Sequence, residues 1–281
     1  MKKIVFLNWM IIVVESTYDG PVLPVDLVKD GPLFLQELIE RFKRGKLIHR
    51  KFVVQILLVL KALFSKLPSL LRLNLSSGAD PHFTVCGDTH GQFFDVCNIF
   101  ELNGLPSDDN PYLFNGDFVD RGSFSVEVVV TLFAMKLVYP NGVHLLRGNH
   151  ESKNMNKIYG FEGEVKYKYD ETVMTLFTEV FNWIPLCAVI EEKVMVVHGG
   201  LCHGDHVTLK DIELIKRNRE PPEAGLMSDL MWSDPQPFMG RGPSKRGIGL
   251  SFGPDITKAF LERNNLGTFT LYRGFFMFMF I

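Results

Sequence analysis

The sequence has few of the residues that mark secreted scaffolds and zinc modules. Only 4 of its 281 residues are cysteine, and none of these thiols stands in a C-x-x-C pair. A disulfide-rich extracellular domain and a cysteine-based metal site are therefore excluded, and reduced, buried thiols of an intracellular protein are favoured. We expect a cytoplasmic or nuclear protein.

An excess of charge of one sign is also missing. The 30 Lys and Arg residues nearly balance the 32 Asp and Glu residues, and the formal net charge is −2 at pH 7. Binding to nucleic acid or to acidic lipid depends on a basic surface. We therefore predict no nucleic-acid partner.

No apolar run is long enough to cross a bilayer, which takes about 20 residues. The N-terminal run at residues 4–14 is interrupted by Asn8, and no small-residue cleavage site follows it. We interpret residues 1–22 as an extension outside the domain. Membrane association through the apolar part of this extension is the less favoured alternative.

Four short, mostly apolar runs each end in a glycine-rich polar loop. These loops read G-D-T-H-G at residues 87–91, G-D-F-V-D-R-G at 116–122, R-G-N-H-E at 147–151 and H-G-G at 198–200. Ligands of open α/β sheets bind outside the carboxyl ends of the strands, and glycine allows tight turns there. The loops therefore deliver five candidate ligands to one place: Asp88, His90, Asp117, Asn149 and His198.

This set of donors points to a metal centre. Carboxylate, imidazole and amide groups without sulfur suit Mn, Fe or Zn. Asp88 and Asp117 would repel each other without cations, and a carboxylate that bridges two ions about 3.5–4 Å apart is typical of two-metal hydrolysis. A single Asp or His at a strand end is usually a turn or core residue. Four such junctions in one chain favour a metal site.

The periodicity around these loops predicts strands that alternate with helices. Two or three amphipathic helices are expected within residues 26–75, and a loop is expected after Leu70 and Leu71. Further helices are predicted at 93–102, 126–137, 211–216 and 255–264, with residues 153–184 largely helical. Residues 231–251 are predicted to form a Pro- and Gly-rich loop.

The loops G-D-x-H-G, G-D-x-V-D-R-G and G-N-H-E, in this order and spacing, resemble the phosphoprotein phosphatase family of serine/threonine phosphatases. Further matches are H-G-G-L at 198–201, M-W-S-D-P at 231–235 and G-R-G-P-S-K-R-G at 240–247. The resemblance implies an α/β (α+β) calcineurin-like metallophosphoesterase fold, with a central β-sandwich flanked by helices. It is nearest to the branch whose members carry an N-terminal tetratricopeptide domain. No such repeat is evident in this sequence, so neither that domain nor chaperone docking through it is expected.

The resemblance also implies a role for each matching residue. Asp88, His90 and Asp117 would hold one metal ion, and Asp117, Asn149 and His198 would hold a second; the ions would be Mn2+, Fe or Zn2+. His150 would act as general acid and Asp120 would orient it. Arg121 and Arg246 would clamp the phosphate, although each could instead form an ordinary salt bridge within its loop.

The C-terminal residues depart from the family pattern. The family continues after residue 266 into a strand with an R-S-H-E motif, whose His is a ligand of the second metal, and then into further strands. Here no His occurs after His206, and the chain ends in F-F-M-F-M-F-I. We therefore expect a divergent apolar tail at 267–281. The catalytic domain at 23–266 would lack its C-terminal strands, and its second metal site would be one ligand short.

The implied activity is metal-dependent hydrolysis of phosphoserine and phosphothreonine monoesters on proteins. A hydroxide activated by the dinuclear centre would attack phosphorus, with His150 as general acid. The alternative is a catalytically impaired, truncated chain that only binds partners or substrates. A phosphodiesterase or nuclease is disfavoured by the motifs and by the lack of a basic surface.

Overall fold

The computed structural model describes residues 12–75, 81–273 and 276–280, and from residue 271 onward it describes the backbone alone. The helices are α1 (Gly31–Lys43), α2 (Arg50–Phe64), α3 (Phe93–Asn103), α4 (Ser125–Val138), α5 (Lys153–Tyr159), α6 (Phe161–Lys168), α7 (Glu171–Phe181), α8 (Leu209–Glu213), α9 (Leu226–Trp232) and α10 (Pro254–Asn264). The strands are β1 (Leu70–Leu73), β2 (Thr84–Cys86), β3 (Tyr112–Phe114), β4 (Val143–Leu145), β5 (Cys187–Ile190), β6 (Val194–Val197), β7 (Asp234–Pro235), β8 (Arg241–Pro243), β9 (Leu250–Phe252), β10 (Thr268–Arg273) and β11 (Phe276–Phe280).

The described strands form three sheets. One has five strands in the order β1-β5-β6-β10-β11, one has the order β2-β3-β4, and a small one has the order β7-β9-β8. Strands β2, β3 and β4 are all parallel, with α3 and α4 as the connecting helices. Their carboxyl ends therefore lie at one edge, as the strand–helix alternation predicted.

The five-stranded sheet and the sheet β2-β3-β4 pack face to face, and the alternation of side chains along the strands shows how. Tyr112 and Phe114 of β3 belong to the core under the helices, whereas Leu113 between them belongs to a cluster shared by both sheets. Val196 of β6 joins that shared cluster from the other side. This period of two produces a β-sandwich with helices outside it, which is the architecture predicted from the sequence.

Helix α4 is the buried helix of the parallel-sheet half. Its sequence S-V-E-V-V-V-T-L-F-A-M-K-L-V is apolar on nearly every side, and all of its residues are buried. A helix that is apolar all round must be covered on every face. Helices α1 and α2 share its core cluster and supply part of that cover.

Two local features were predicted only in part. Residues 153–184 form three helices, because Gly160 takes a left-handed backbone (φ +114°) after α5, and Asp170 starts α7 by accepting from the N–H of Val173. Leu70 and Leu71, for which no strand was predicted, lie in β1, which pairs in parallel with β5. A strand of four residues carries too little periodicity to be recognised.

The expectation that the C-terminal strands are missing is also corrected. Thr268 pairs with Val194, so β10 lies parallel to β6, and β11 pairs antiparallel with β10. Phe269 is fully buried, with its ring centroid 6.1 Å from that of Phe252. Residues 268–273 and 276–280 are rich in aromatic residues, which favour strands. This preference predicts the observed strands, whereas the apolar character of the segment alone suggested a tail.

The N-terminal extension is only partly described, since residues 1–11, which hold most of its apolar run, lie outside the described residues. Residues Ile12 and Val14 pack against the core under the helices, and Asp19 is ion-paired with Arg41. Among the described residues, no helix combines the length and the apolar character needed to span a bilayer.

Candidate metal centre

The polar loops that follow β2, β3, β4 and β6 converge as predicted. Ligand atoms of Asp88, Asp117 and His198 all lie within 4.8 Å of one another. Those of His90, Asp117 and His150 do the same. Asp117 belongs to both groups, so it lies where a bridging carboxylate would be needed.

Asp117 is buried among imidazoles. Its Oδ2 lies 3.3 Å from Nε2 of His198 and 3.6 Å from Nε2 of His90, and its Oδ1 accepts a hydrogen bond of 2.9 Å from the backbone N–H of His150. Burial alone would raise the pKa of Asp117, but the neighbouring imidazoles, His198 first among them, hold this pKa well below its usual range. Asp117 is therefore a carboxylate, as a metal ligand must be.

Backbone carbonyls orient the two imidazoles. Nδ1 of His90 donates to the carbonyl of Val119 at 2.9 Å, and Nδ1 of His198 donates to that of Asn115 at 2.8 Å. A carbonyl only accepts, so each Nδ1 carries a hydrogen and each Nε2 faces Asp117. Histidines that bind metals are held in this way. Burial also lowers the pKa of His90, which favours the neutral ring.

The remaining candidate ligands also fit a cation. Asp88 Oδ2 lies 3.9 Å from His90 Nε2, and Asp88 Oδ1 lies 3.9 Å from His198 Nδ1. The side-chain oxygen of Asn149 is buried and accepts no hydrogen bond from the described residues. A buried acceptor needs a partner, and a divalent ion would supply one. Oxygen and nitrogen donors without sulfur therefore fit Mn2+, Fe or Zn2+.

Glu151 was not assigned a role from the sequence, although it ends the R-G-N-H-E motif. Its carboxylate accepts three backbone N–H bonds of 2.8 Å, from Asp117, Phe118 and Gly148, and so joins the second loop to the third. Burial, helped by the charge of Asp117, raises the pKa of Glu151 to about 7. The loops approach so closely that a Cβ on Gly116 would lie 2.3 Å from the nitrogen of Gly148.

Arg147 has a structural place beneath the same loop. Its guanidinium is fully buried and donates to the carbonyls of Glu151 and Arg219 and to Oδ1 of Asn182, at 2.7 to 2.9 Å. These three partners account for its position at the end of β4. Arg147 anchors the loop and does not face the metal ligands.

His150 and Asp120 form the expected pair. Nδ1 of His150 lies 2.8 Å from Oδ2 of Asp120, and both side chains are buried. The carboxylate also accepts from Nδ2 of Asn156 at 3.1 Å and from the N–H of Phe161 at 3.0 Å, so its orientation is fixed. Since a carboxylate accepts, Nδ1 carries a hydrogen and Nε2 is the nitrogen that can exchange a proton with a substrate. The catalytic roles of both residues stay predictions.

Arg121 lies beside this pair on an exposed turn. Its terminal nitrogen lies 3.3 Å from Nε2 of His150, and its guanidinium lies 5.7 Å from the ring centroid of Tyr159. Arg121 and Asp120 both take left-handed backbone, with φ of +69° and +71°. Such strain at two consecutive non-glycine residues is typical of functional sites. Tyr159 was not assigned a role from the sequence.

Arg246 has a different environment from Arg121. It is exposed on the loop after β8, and its Nε donates to Oδ2 of Asp234 at 2.8 Å. This contact is the loop salt bridge that the sequence left open as an alternative. A role of Arg246 on phosphate stays a prediction.

Comparison with known proteins identifies the family. The sequence model described as calcineurin-like phosphoesterase matches residues 81–270. Human serine/threonine-protein phosphatase 5 is 58% identical over 256 residues, which cover 90% of this chain and 50% of the relative. Serine/threonine-protein phosphatase T of Schizosaccharomyces pombe is 50% identical over 255 residues, which cover 90% and 53%. The chain thus spans about half the length of the curated relatives it matches.

A solved structure and a second family model complete the comparison. The Saccharomyces cerevisiae protein serine/threonine phosphatase with similarity to human phosphatase PP5 is 45% identical, with a TM-score of 0.81 over 84% of this chain and 76% of that one. A model described as the PPP5 TPR repeat region matches residues 2–72. The expectation that the chain has no tetratricopeptide region is therefore wrong in part, because residues 2–72 match the model of that region.

Proposed function

The chain belongs to the calcineurin-like phosphoesterase family and, within it, to the serine/threonine phosphatases close to protein phosphatase 5, and from this premise we propose that it hydrolyses phosphoserine and phosphothreonine monoesters on proteins. The observation that carries the proposal is one juxtaposition. The buried carboxylate of Asp117 stands between the Nε2 atoms of His90 and His198, next to the Asp120–His150 pair. A two-metal centre and a proton donor would thereby lie side by side.

The cofactors we propose are two divalent ions, which would be Mn2+, Fe or Zn2+. Their ligands would be Asp88, His90, Asp117, Asn149 and His198. When bound, such ions polarise phosphoryl oxygens and supply a water of lowered pKa. The second site would hold its ion with fewer protein ligands than the family uses.

The side chains around this centre would handle the proton and the phosphate. His150 would deliver a proton from Nε2 to the departing seryl or threonyl oxygen, with Asp120 stabilising the charged ring. Arg121 lies within reach of that same nitrogen, at 3.3 Å. A phosphate group would draw Arg121 to its own oxygens, because a guanidinium pairs with phosphate in two parallel bonds. Substrate binding would thereby free Nε2 of His150 for its proton.

A second candidate function is binding without turnover, and the end of the chain favours it. In β10, Leu271 pairs with Val197, the residue before His198. The strand that brings the last metal ligand in the family is therefore in place, but it contains no His. A chain with one weak metal site could retain phosphoproteins without hydrolysing them.

The partners we propose are phosphoproteins, with no nucleic acid. We also propose that α1 and α2, which lie within the residues matched by the model of the PPP5 TPR repeat region, belong to the catalytic domain, because they contribute to the same core cluster as α4. A cytoplasmic or nuclear location is proposed on the four free, buried cysteines.

The test is hydrolysis of an aryl phosphate and a phosphoserine peptide in Mn2+, with metal content measured on the same sample. Turnover with two bound ions would support the phosphatase. Peptide binding without turnover would support the second candidate, and absence of both would overturn the proposed function. H150A should lose about 10²–10⁴-fold in turnover and keep its metal. The exposed His206 offers a matched control as H206A, which should be unchanged.

A further inference from the structure

The turn that carries Arg121 is held from outside the site by the two helices α5 and α6. The N–H of Arg121 donates to the carbonyl of Tyr159 at 3.0 Å, and the N–H of Phe161 donates to Asp120. Tyr159, which supplies the accepting carbonyl, ends α5, and Phe161, which supplies the donating N–H, begins α6. One side of the left-handed turn is therefore fixed by backbone contacts.

Lys168, at the last turn of α6, holds the other side. Its ammonium donates to Glu127 at 2.7 Å, to Glu164 at 2.8 Å and to the carbonyl of Ser123, two residues after Arg121, at 3.3 Å. Both oxygens of Glu127 lie within reach, at 2.7 and 2.8 Å, so four acceptor atoms share the three hydrogens of the ammonium. The Lys168 side chain is only 15% exposed and the two carboxylates 7% and 12%, so the cluster is largely shielded from water.

Glu164 extends the same contact to helix α4. Its carboxylate accepts from the N–H groups of Ser125 and Val126, at 3.2 and 2.8 Å. The first residue before α4, Phe124, offers no side-chain cap of its own. A carboxylate at a helix N-terminus satisfies free N–H groups and opposes the positive end of the helix dipole. The chain on both sides of Ser123 is thus tied to α6.

We propose that Lys168 is a positioning residue for Arg121: by joining Ser123, Glu127 and Glu164 it keeps the turn in the conformation that presents the guanidinium to phosphate. The proposal rests on the proposed function of Arg121 as a phosphate clamp. Without the ammonium, two buried carboxylates would face each other and the Ser123 carbonyl would lose its donor. Left-handed backbone at Asp120 and Arg121 persists only where its surroundings hold it.

The test compares K168M with K166M. Lys166 lies on the same helix and is also ion-paired, but with Glu162 and Glu171 at the surface, and its side chain is 39% exposed. Both changes remove one positive charge. We expect K168M to raise the KM for aryl phosphate about tenfold with a smaller change in kcat, since binding to Arg121 is lost in ground and transition states alike. K166M should change neither, and K168R should recover most of the loss.

A double-mutant cycle separates positioning from general destabilisation. If Lys168 acts through Arg121, K168M should add almost nothing to the KM of R121A, whereas independent effects would multiply. Multiplication, or an effect of K166M equal to that of K168M, would overturn the proposal.

Amide hydrogen exchange supplies a readout that needs no turnover. K168M should speed exchange at the N–H groups of Arg121 and Phe124, and K166M should not. If the wild-type chain has no activity, the proposed function fails, while unchanged exchange in K168M would show separately that the positioning inference is wrong. If K168M fails to fold, the same exchange measurement on K168R and K168Q decides, with faster exchange expected for K168Q only.

Discussion

The parallel sheet β2-β3-β4 and the C-terminal edge β10-β11 of the larger sheet are built on different principles. In the parallel sheet each strand and the loop after it form one short stretch of sequence, which contains its own glycine and its own candidate ligand. At the edge, β10 is defined by pairing with β6, more than 70 residues earlier in the chain. The chemistry of the site is therefore local in the sequence, whereas the completion of the fold is not.

The two regions also differ in backbone strain. Of the 7 non-glycine residues with positive φ among the described residues, 4 lie in the site loops: His90, Asp117, Asp120 and Arg121. The other 3 lie in ordinary turns: Glu191, Glu192 and Asn265. Strain of this kind costs about 1–3 kcal/mol per residue and is retained where function requires it. The parallel-sheet half carries this cost, and the edge contributes apolar burial.

The largest expected effect is the loss of turnover in D117N, a substitution beside the parallel sheet. The substitution removes the negative charge that a bridging ligand needs. The amide oxygen of the new side chain can still accept the hydrogen bond from the N–H of His150. We expect turnover to fall at least about a thousandfold, because metal-assisted hydrolysis depends on the bound ions. Metal content, measured on the same sample, should fall with it. D109N, on an exposed loop, is the control, and equal metal content in both variants would contradict the assignment.

The next effect tests whether the edge belongs to the domain. Phe269 is fully buried against Phe252, so F269A should lower the free energy of unfolding by about 3–5 kcal/mol. T268A, on the neighbouring half-buried residue, should cost less than about 1 kcal/mol. Denaturant unfolding measures both. If F269A unfolds like the wild type, the C-terminal segment is a tail after all.

The difference between the regions explains what could be predicted from the sequence. Asp88, His90, Asp117 and His198 were found because each follows an apolar run and stands beside glycine. Glu151 stood in the same motif, but its three N–H partners come from two loops, and that geometry has no signature along the chain. The contacts of Lys168 could not be predicted for a similar reason, since its partner Glu127 lies 41 residues away in the sequence.

At the edge the prediction failed because pairing is a property of two strands. Residues 276–280 alternate Phe and Met, and an apolar run of this length can be a strand, a buried helix or an exposed tail. Only the pairing of this segment with β10, which itself pairs with β6, decides among these. The same limitation concealed β1, whose parallel partner β5 lies more than 100 residues further along.

A smaller effect is expected from a substitution in β10 that would add a metal ligand next to the His198 loop. Since Leu271 pairs with Val197, the positions that follow it in β10 come level with the start of the His198 loop. We expect a histidine introduced as Y272H or R273H to raise the affinity for the second metal ion about tenfold, the scale on which a metal site responds to a supporting group. Competition with a chelator measures the affinity. T268H, at the far end of the same strand, should have no effect.

The smallest effect concerns stability alone, and it shows that the parallel-sheet half can be altered without touching its site. Lys136 of α4 is buried, its only described acceptor is the carbonyl of Pro140, and burial lowers its pKa from 10.5 to about 8. Below pH 8 the folded chain must hold this charge in an apolar setting, so K136M should unfold about 1–2 kcal/mol less readily than the wild type, after allowance for the lost hydrogen bond.

This advantage should shrink as the pH rises from 8 to 10.5. Over that range the folded wild-type chain releases the proton while the unfolded chain still binds it, so wild-type stability rises relative to the variant. Denaturant unfolding of both chains at pH 7 and pH 10 measures the difference, and turnover at pH 7 should be the same in both. An advantage of K136M that is independent of pH would mean that packing, and not the buried charge, limits the stability of this half.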